Sequence, residues 1–180
     1  MKFDNLTDEL LMEEIARGSS EASSILLDRY KNQLFAFLYR LILNQTDAED
    51  IFQETWIRII KYAHTFNASK KFSTWLFQIA VNCSRDFINC KHYEANIEEE
   101  ITVCDVNQIE DFENKEFAES IIEKLPLSFR EVVILRYFHD KKEKEIAELL
   151  SIPIGTVKSR LHKAIAFLKK FYDEKGGQNE

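Results

Sequence analysis

Residues that let a chain turn sharply are scarce in this sequence. Four glycines and two prolines in 180 residues argue for long helices joined by few tight turns. Cysteine is nearly as rare. Cys83, Cys90 and Cys104 match neither a CxxC zinc spacing nor a dense disulfide framework, so no metal and no cofactor are expected. Cys83 and Cys90 fall seven apart on an apolar helix face and read as small buried hydrophobes. That usage places the protein in a reducing cytoplasm. Long hydrophobic runs are absent too. The longest, Leu34 to Tyr39, is far short of the roughly 20 residues that span a bilayer. The start, "MKFDNLTDEL", has early acids and no apolar signal segment. A soluble protein without membrane insertion is expected. The last absence is local: from Gly155 to Tyr172 there is no acid, in a chain of net charge −7.

What is present is ample for a core, with 45% hydrophobic and 12% aromatic residues. The acids are unevenly placed. Between Glu94 and Glu123 eleven acids face one base, Lys115, whereas the rest of the chain carries 23 bases and 20 acids. The first part of that stretch, "EANIEEEITVCDVNQIED", lacks helical periodicity and reads as a tether. From Phe112 apolar residues return at helical spacing, at Phe117, Ile121, Ile122 and Leu125. The predicted architecture is all-α: two small helical domains at 1–92 and 113–175, joined by a flexible acidic linker at 93–112. The linker either masks the cationic surfaces in the free protein, lines a nucleic-acid path as a mimic when bound, or is simply a soluble tether.

In the N-terminal half, Leu11 and Ile15, then Leu26, Leu27, Tyr30, Leu34, Phe37, Leu38 and Leu41, form the stripe of a bundle, broken near Gly18. A third helix is predicted from Thr46 or Asp47 as N-cap, burying Phe52, Trp56, Ile59, Ile60 and Ala63. Another side of it carries Asp50, Gln53, Glu54 and Ile57, either a solvated face or a docking surface. In "FSTWLFQIAVNCSRDFINCKHY" the apolar stripe is Leu76, Ile79, Ala80, Cys83, Phe87 and Cys90. A second stripe, Gln78, Asn82, Arg85 and Asn89, offers the planar donors and acceptors suited to base edges. Upstream, Lys70 and Lys71 lie between Phe66 and Phe72, the interleaving of aromatics and cations that suits unstacked bases.

The C-terminal half has the layout of a helix-turn-helix. "KEIAELL" is a short helix with Ile146, Leu149 and Leu150 inward. In "SIPIG", Ser151 can cap, Pro153 fits a first helical turn and Gly155 leaves room for the paired helix. Val157, Leu161, Ala164 and Leu168 are the next inward stripe. Thr156, Ser159, Arg160 and Lys163 then share an outer face, flanked by Lys158 and His162. Arg160 and Lys163 are predicted to read bases, and Lys158, Ser159 and Thr156 to make phosphate or mixed contacts. His162 either hydrogen-bonds to DNA or sits at the edge.

"DAEDIFQETWIRI", "FSTWLFQIAVN", "LPLSFREVVILRYF" and "IPIGTVKSRLHKA", in that order, resemble the bacterial sigma-70 family of RNA polymerase initiation factors, in its extracytoplasmic-function (ECF) group. The resemblance covers about residues 6 to 172. It implies a non-catalytic specificity subunit that binds core RNA polymerase and promoter DNA, both as duplex and as melted strand. It implies that 1–92 grips polymerase through the helix of Asp50, Gln53, Glu54 and Ile57, and melts the minus-10 element. Asn82 would face the captured base, cradled by the Phe66–Phe72 loop, with Gln78, Arg85 and Asn89 alongside. Lys158, Ser159, Arg160 and Lys163 match the minus-35 readers in 113–175. An anti-sigma factor is the further partner implied. Many relatives end the minus-10 helix in a run of Arg, where this chain has only Lys91 and His92. An ordinary helix-turn-helix regulator and a helical adaptor are the competing classes. The first would bind duplex tightly without polymerase; the second would tolerate charge reversal at Arg160 and Lys163.

Overall fold

The computed structural model describes residue 3 and residues 5–95 and 122–176. Among them there are helices and turns and no strand. The chain divides into two compact units, Met1–Ile97 and Glu98–Glu180. Most of the predicted linker, with Cys104, Phe112, Phe117 and Ile121, lies outside the described residues.

In the first unit, α1 (Asp8–Ala16) starts at Thr7, whose hydroxyl oxygen accepts the Leu10 N–H at 3.4 Å. The break from α2 (Ser20–Ile42) comes where expected. Gly18 takes φ +92°, a left-handed value that a side chain would strain, and Ser19 caps the next helix at the Ala22 N–H. The start of α3 (Gln45–Lys61) differs from expectation. Leu43 turns left-handed at φ 61°, leaving Asn44 extended, and the Asn44 amide oxygen takes the Asp47 N–H at 3.0 Å. Asn44 is therefore the cap, ahead of Thr46 and Asp47. A single 3-10 turn (Ala63–Thr65) leads to a loop and then α4 (Phe72–Ala95), which continues three residues past the predicted boundary.

Leu11, Ile15, Leu26, Leu34, Phe37, Leu38 and Leu41 are buried as the stripe predicts, while Leu27 and Tyr30 are half-buried. On α3 the inward face is rotated. Ala48, Ile51, Thr55 and Ile59 are buried, Phe52 and Trp56 are half-buried, and Ile60 is 51% exposed. Thr55 can occupy this face because its hydroxyl donates to the Ile51 carbonyl at 2.7 Å. Ser84 on α4 does the same to Ala80 at 2.8 Å. Cys83 is buried and its thiol is pushed up by desolvation, but Cys90 is exposed, contrary to its expected burial.

The first turn of α1 reaches across the bundle. Asp8 accepts hydrogen bonds from Arg29 (2.7 Å) and from the Tyr30 hydroxyl, whose pKa is raised by burial and then by Asp8. Glu9 Oε1 accepts the Phe72 N–H at 3.2 Å, 63 residues away in sequence. It thus supplies an N-terminal acceptor to α4, which has no acid in its own first turn.

In the second unit, α5 (Leu127–Val133) runs into a π turn (Ile134–Phe138), followed by α6 (Glu143–Leu150) and α7 (Ile154–Gly176). Ile146, Leu149 and Leu150, and Val157, Leu161, Ala164 and Leu168, are all buried as predicted. Against them pack Ile122, Leu125, Val132, Val133, Ile134 and Leu135. Ser151 ends α6 at φ 55°, and the Pro153 carbonyl accepts the Thr156 and Val157 N–H groups, opening α7. Gly155 departs from expectation: nothing lies within 4 Å of where its Cβ would be, so no paired helix requires it.

Removing the Glu9 acceptor should destabilise the first unit by about 1 kcal/mol, the usual worth of a helix cap. Thermal or urea unfolding of Glu9→Ala against the parent measures it.

Candidate nucleic-acid interface

The inward stripe of α7 decides what its other faces present. Ser159 is exposed, and the Lys158 side chain is 62% exposed. Lys158 Nζ lies 3.8 Å from Glu143 Oε2 on α6, an exposed ion pair that solvent screens. Thr156, His162 and Lys163 are half-buried on the same half of the helix. Gly155 is open, and Ile154 is an exposed apolar side chain beside it. Ile154 is visible in the sequence as a large apolar residue opening a basic helix. Arg160 is placed differently from its neighbours. Its side chain is 27% exposed, with Nη1 4.0 Å from Oε2 of the buried Glu131 on α5.

In the first unit the loop before α4 is built on aromatics. Phe66 is half-buried, with its ring 5.3 Å from Trp75 and 6.2 Å from Phe72. Phe72 itself is fully buried, edge-on to Tyr30 at 5.2 Å. Phe72 was expected to touch a base. As the first residue of α4, anchored through its N–H to Glu9, it is instead the floor beneath Phe66 and Trp75. Lys70 and Lys71 are exposed at the rim. Along α4, Asn82 and Asn89 are exposed and Gln78 and Arg85 half-buried, so the polar stripe does form one outer face.

On α3, Asp50, Gln53 and Glu54 are exposed and Ile57 is 58% exposed. Ile60 extends that face, which the spacing of 50, 53, 57 and 60 would have revealed. Arg58 links this helix to α4, with Nε 2.6 Å from Glu54 and Nη1 2.8 Å from Asp86. Asp86 first, and then Glu54, hold its pKa above the ordinary value. Among the described residues no group of three or more His, Cys, Asp or Glu could hold a metal ion. No helix there is long and apolar enough to cross a membrane.

Residues 26–92 match the family model described as Sigma-70 region 2, and residues 117–168 match Sigma-70, region 4. The ECF RNA polymerase sigma factor SigW of Bacillus subtilis is 31% identical over 174 residues, covering 88% of this chain and 93% of that protein. The chain belongs to the ECF group of the sigma-70 family. As an ECF sigma factor it binds core RNA polymerase and directs it to promoters. Two solved structures share the fold. CnrH in complex with the cytosolic domain of CnrY has a TM-score of 0.69 at 23% identity, over 93% of this chain and 97% of that one. RpoE of Bartonella quintana, in complex with the anti-sigma factor NepR, has a TM-score of 0.65 at 22% identity, over 82% and 94%.

The two rings of the loop should separate by substitution. Phe72→Ala should cost about 3–5 kcal/mol of stability, as full burial of a large ring implies, and Phe66→Ala distinctly less. Urea unfolding of the two variants tests the ordering.

Proposed function

We propose that the two units divide promoter recognition between them, residues 1–92 taking the minus-10 element and 113–175 the minus-35 element. The observation that carries this is α7. Its apolar stripe is buried from Val157 to Leu168, the sequence is free of acids through Tyr172, and Lys158 and Ser159 are presented next to an open Gly155. A helix of that kind after a short helix and turn is suited to the major groove, with its N-terminal residues at base edges. Lys163 is assigned to base edges and Lys158, Ser159 and Thr156 to phosphate or mixed contacts, with His162 beside them.

In the first unit the exposed Asn82 and Asn89 with Gln78 and Arg85 form the surface for the opened strand. Phe66, Lys70 and Lys71 provide the adjoining rim, and Phe72 supports them from below. Unstacking a base costs a few kcal/mol, which contacts on this face offset. The outer face of α3, Asp50, Gln53, Glu54 and Ile57, is the polymerase-docking surface, and Ile60 belongs with it. The protein acts in the cytoplasm. It is held by an anti-sigma factor, as RpoE is in its complex with NepR.

Transcription in vitro with core polymerase and a randomised promoter library tests the whole reading. Selection of start sites by the added chain supports it, and none rejects it. On a promoter so selected, Lys163→Ala should lose about 1–3 kcal/mol at one minus-35 position and little elsewhere. Asn82→Ala should leave initial duplex binding nearly intact and reduce open complexes. Permanganate reactivity of minus-10 thymines reports this, and an unchanged footprint removes Asn82 from the role.

A further inference from the structure

Glu131 is a buried carboxylate that promoter contact does not use. It is 2% exposed, on α5 amid Val132, Val133, Ile134 and Leu135, all buried. An ionised carboxylate in such surroundings is costly unless positive charge stands near it. Arg160 of α7 supplies that charge, with its Nη1 4.0 Å from Glu131 Oε2. The separation exceeds a hydrogen bond, so the attraction is between charges, strengthened by the burial of Glu131.

Helix geometry gives the same direction. Arg160 lies three residues after Val157 and four before Ala164, both fully buried, so it leaves the helix at the border of the inward stripe. Lys158 and Ser159 leave on the exposed side. One of the two cations that sequence alone makes base readers is thus drawn toward the interior.

We propose that Arg160 is a positioning residue: paired with Glu131, it fixes the rotation of α7 against α5 so that Lys158, Ser159 and Lys163 meet the bases in a single register. This rests on the reading that α7 enters the major groove. A helix turned by one residue would move each of those side chains by about 100°, which makes a charge pair between the two helices a determinant of the binding-competent fraction, and so of affinity on every sequence, without any contact to DNA.

The test uses holoenzyme reconstituted from the full chain and core polymerase, on a promoter selected by the parent and its single-base minus-35 variants, over a range of salt. Arg160→Ala and Glu131→Gln should each weaken binding roughly tenfold, by similar factors on every sequence, with base preference and salt slope unchanged. The double variant Glu131→Gln/Arg160→Met should be no weaker than either single change, and remains informative if Arg160→Ala does not fold. Arg160→Lys should restore most of the affinity, since a charge suffices where a bidentate fork is not used.

A loss confined to one base pair makes Arg160 a base reader. A salt slope reduced by about one makes it a phosphate contact. Either outcome overturns the proposal, as does tighter or unchanged binding by Glu131→Gln, because that variant would then have released Arg160 toward DNA. Lys163→Ala on the same panel separates the premises. If its loss is equal on all sequences, the major-groove reading has failed, whatever Arg160 does.

Discussion

A single constraint governs the second unit: α7 must bury one side of itself along its whole packed length. Val157, Leu161, Ala164 and Leu168 satisfy it against α5 and α6, and Ile165 joins them. Burial of this kind dominates folding free energy, and it sets which side of the helix faces in. The outward residues are therefore a consequence of the inward ones. Lys158 and Ser159 face out because Val157 and Leu161 face in.

The first unit meets the same demand with an added tie. Its α4 must hold a polar face toward solvent while packing on α2 and α3, and small or self-satisfied side chains, Ala48, Thr55, Ala80 and Ser84, let those helices meet. The start of α4 is set from a distance by α1. Asp8 ties Arg29 and Tyr30, and Glu9 accepts the Phe72 N–H, so one turn of α1 holds both α2 and the base of the aromatic loop. The loop of Phe66, Lys70 and Lys71 consequently stands on a fixed floor.

Periodicity made most of this legible. The α2 and α7 stripes follow a 3.6-residue repeat of strong hydrophobes, and each large apolar residue in them is buried or half-buried. The same method misjudged α3 and α4 where the buried face is made of small or hydroxylated residues. Thr55 and Ser84 look polar in sequence yet bury by bonding to their own helices, and Ile60 looks apolar yet lies outside. Charge alone was an incomplete guide at Arg160 for a related reason. A cation on a basic helix reads as a DNA contact, and the buried carboxylate beside it, Glu131 within "REVVIL", gives no local sign of its direction. The Glu9 cap joins residues 63 apart, and no window along the chain contains both.

Gly155 carries a consequence of its own. In a helix, glycine forfeits about 1 kcal/mol relative to alanine through its greater freedom when unfolded. Here the concession gains nothing inside the molecule, because an added methyl group would meet empty space. Nothing among the described residues demands a bare backbone at this place. Tolerance of larger residues at 155 is thus a question put to the bound partner, and folding itself would welcome the change.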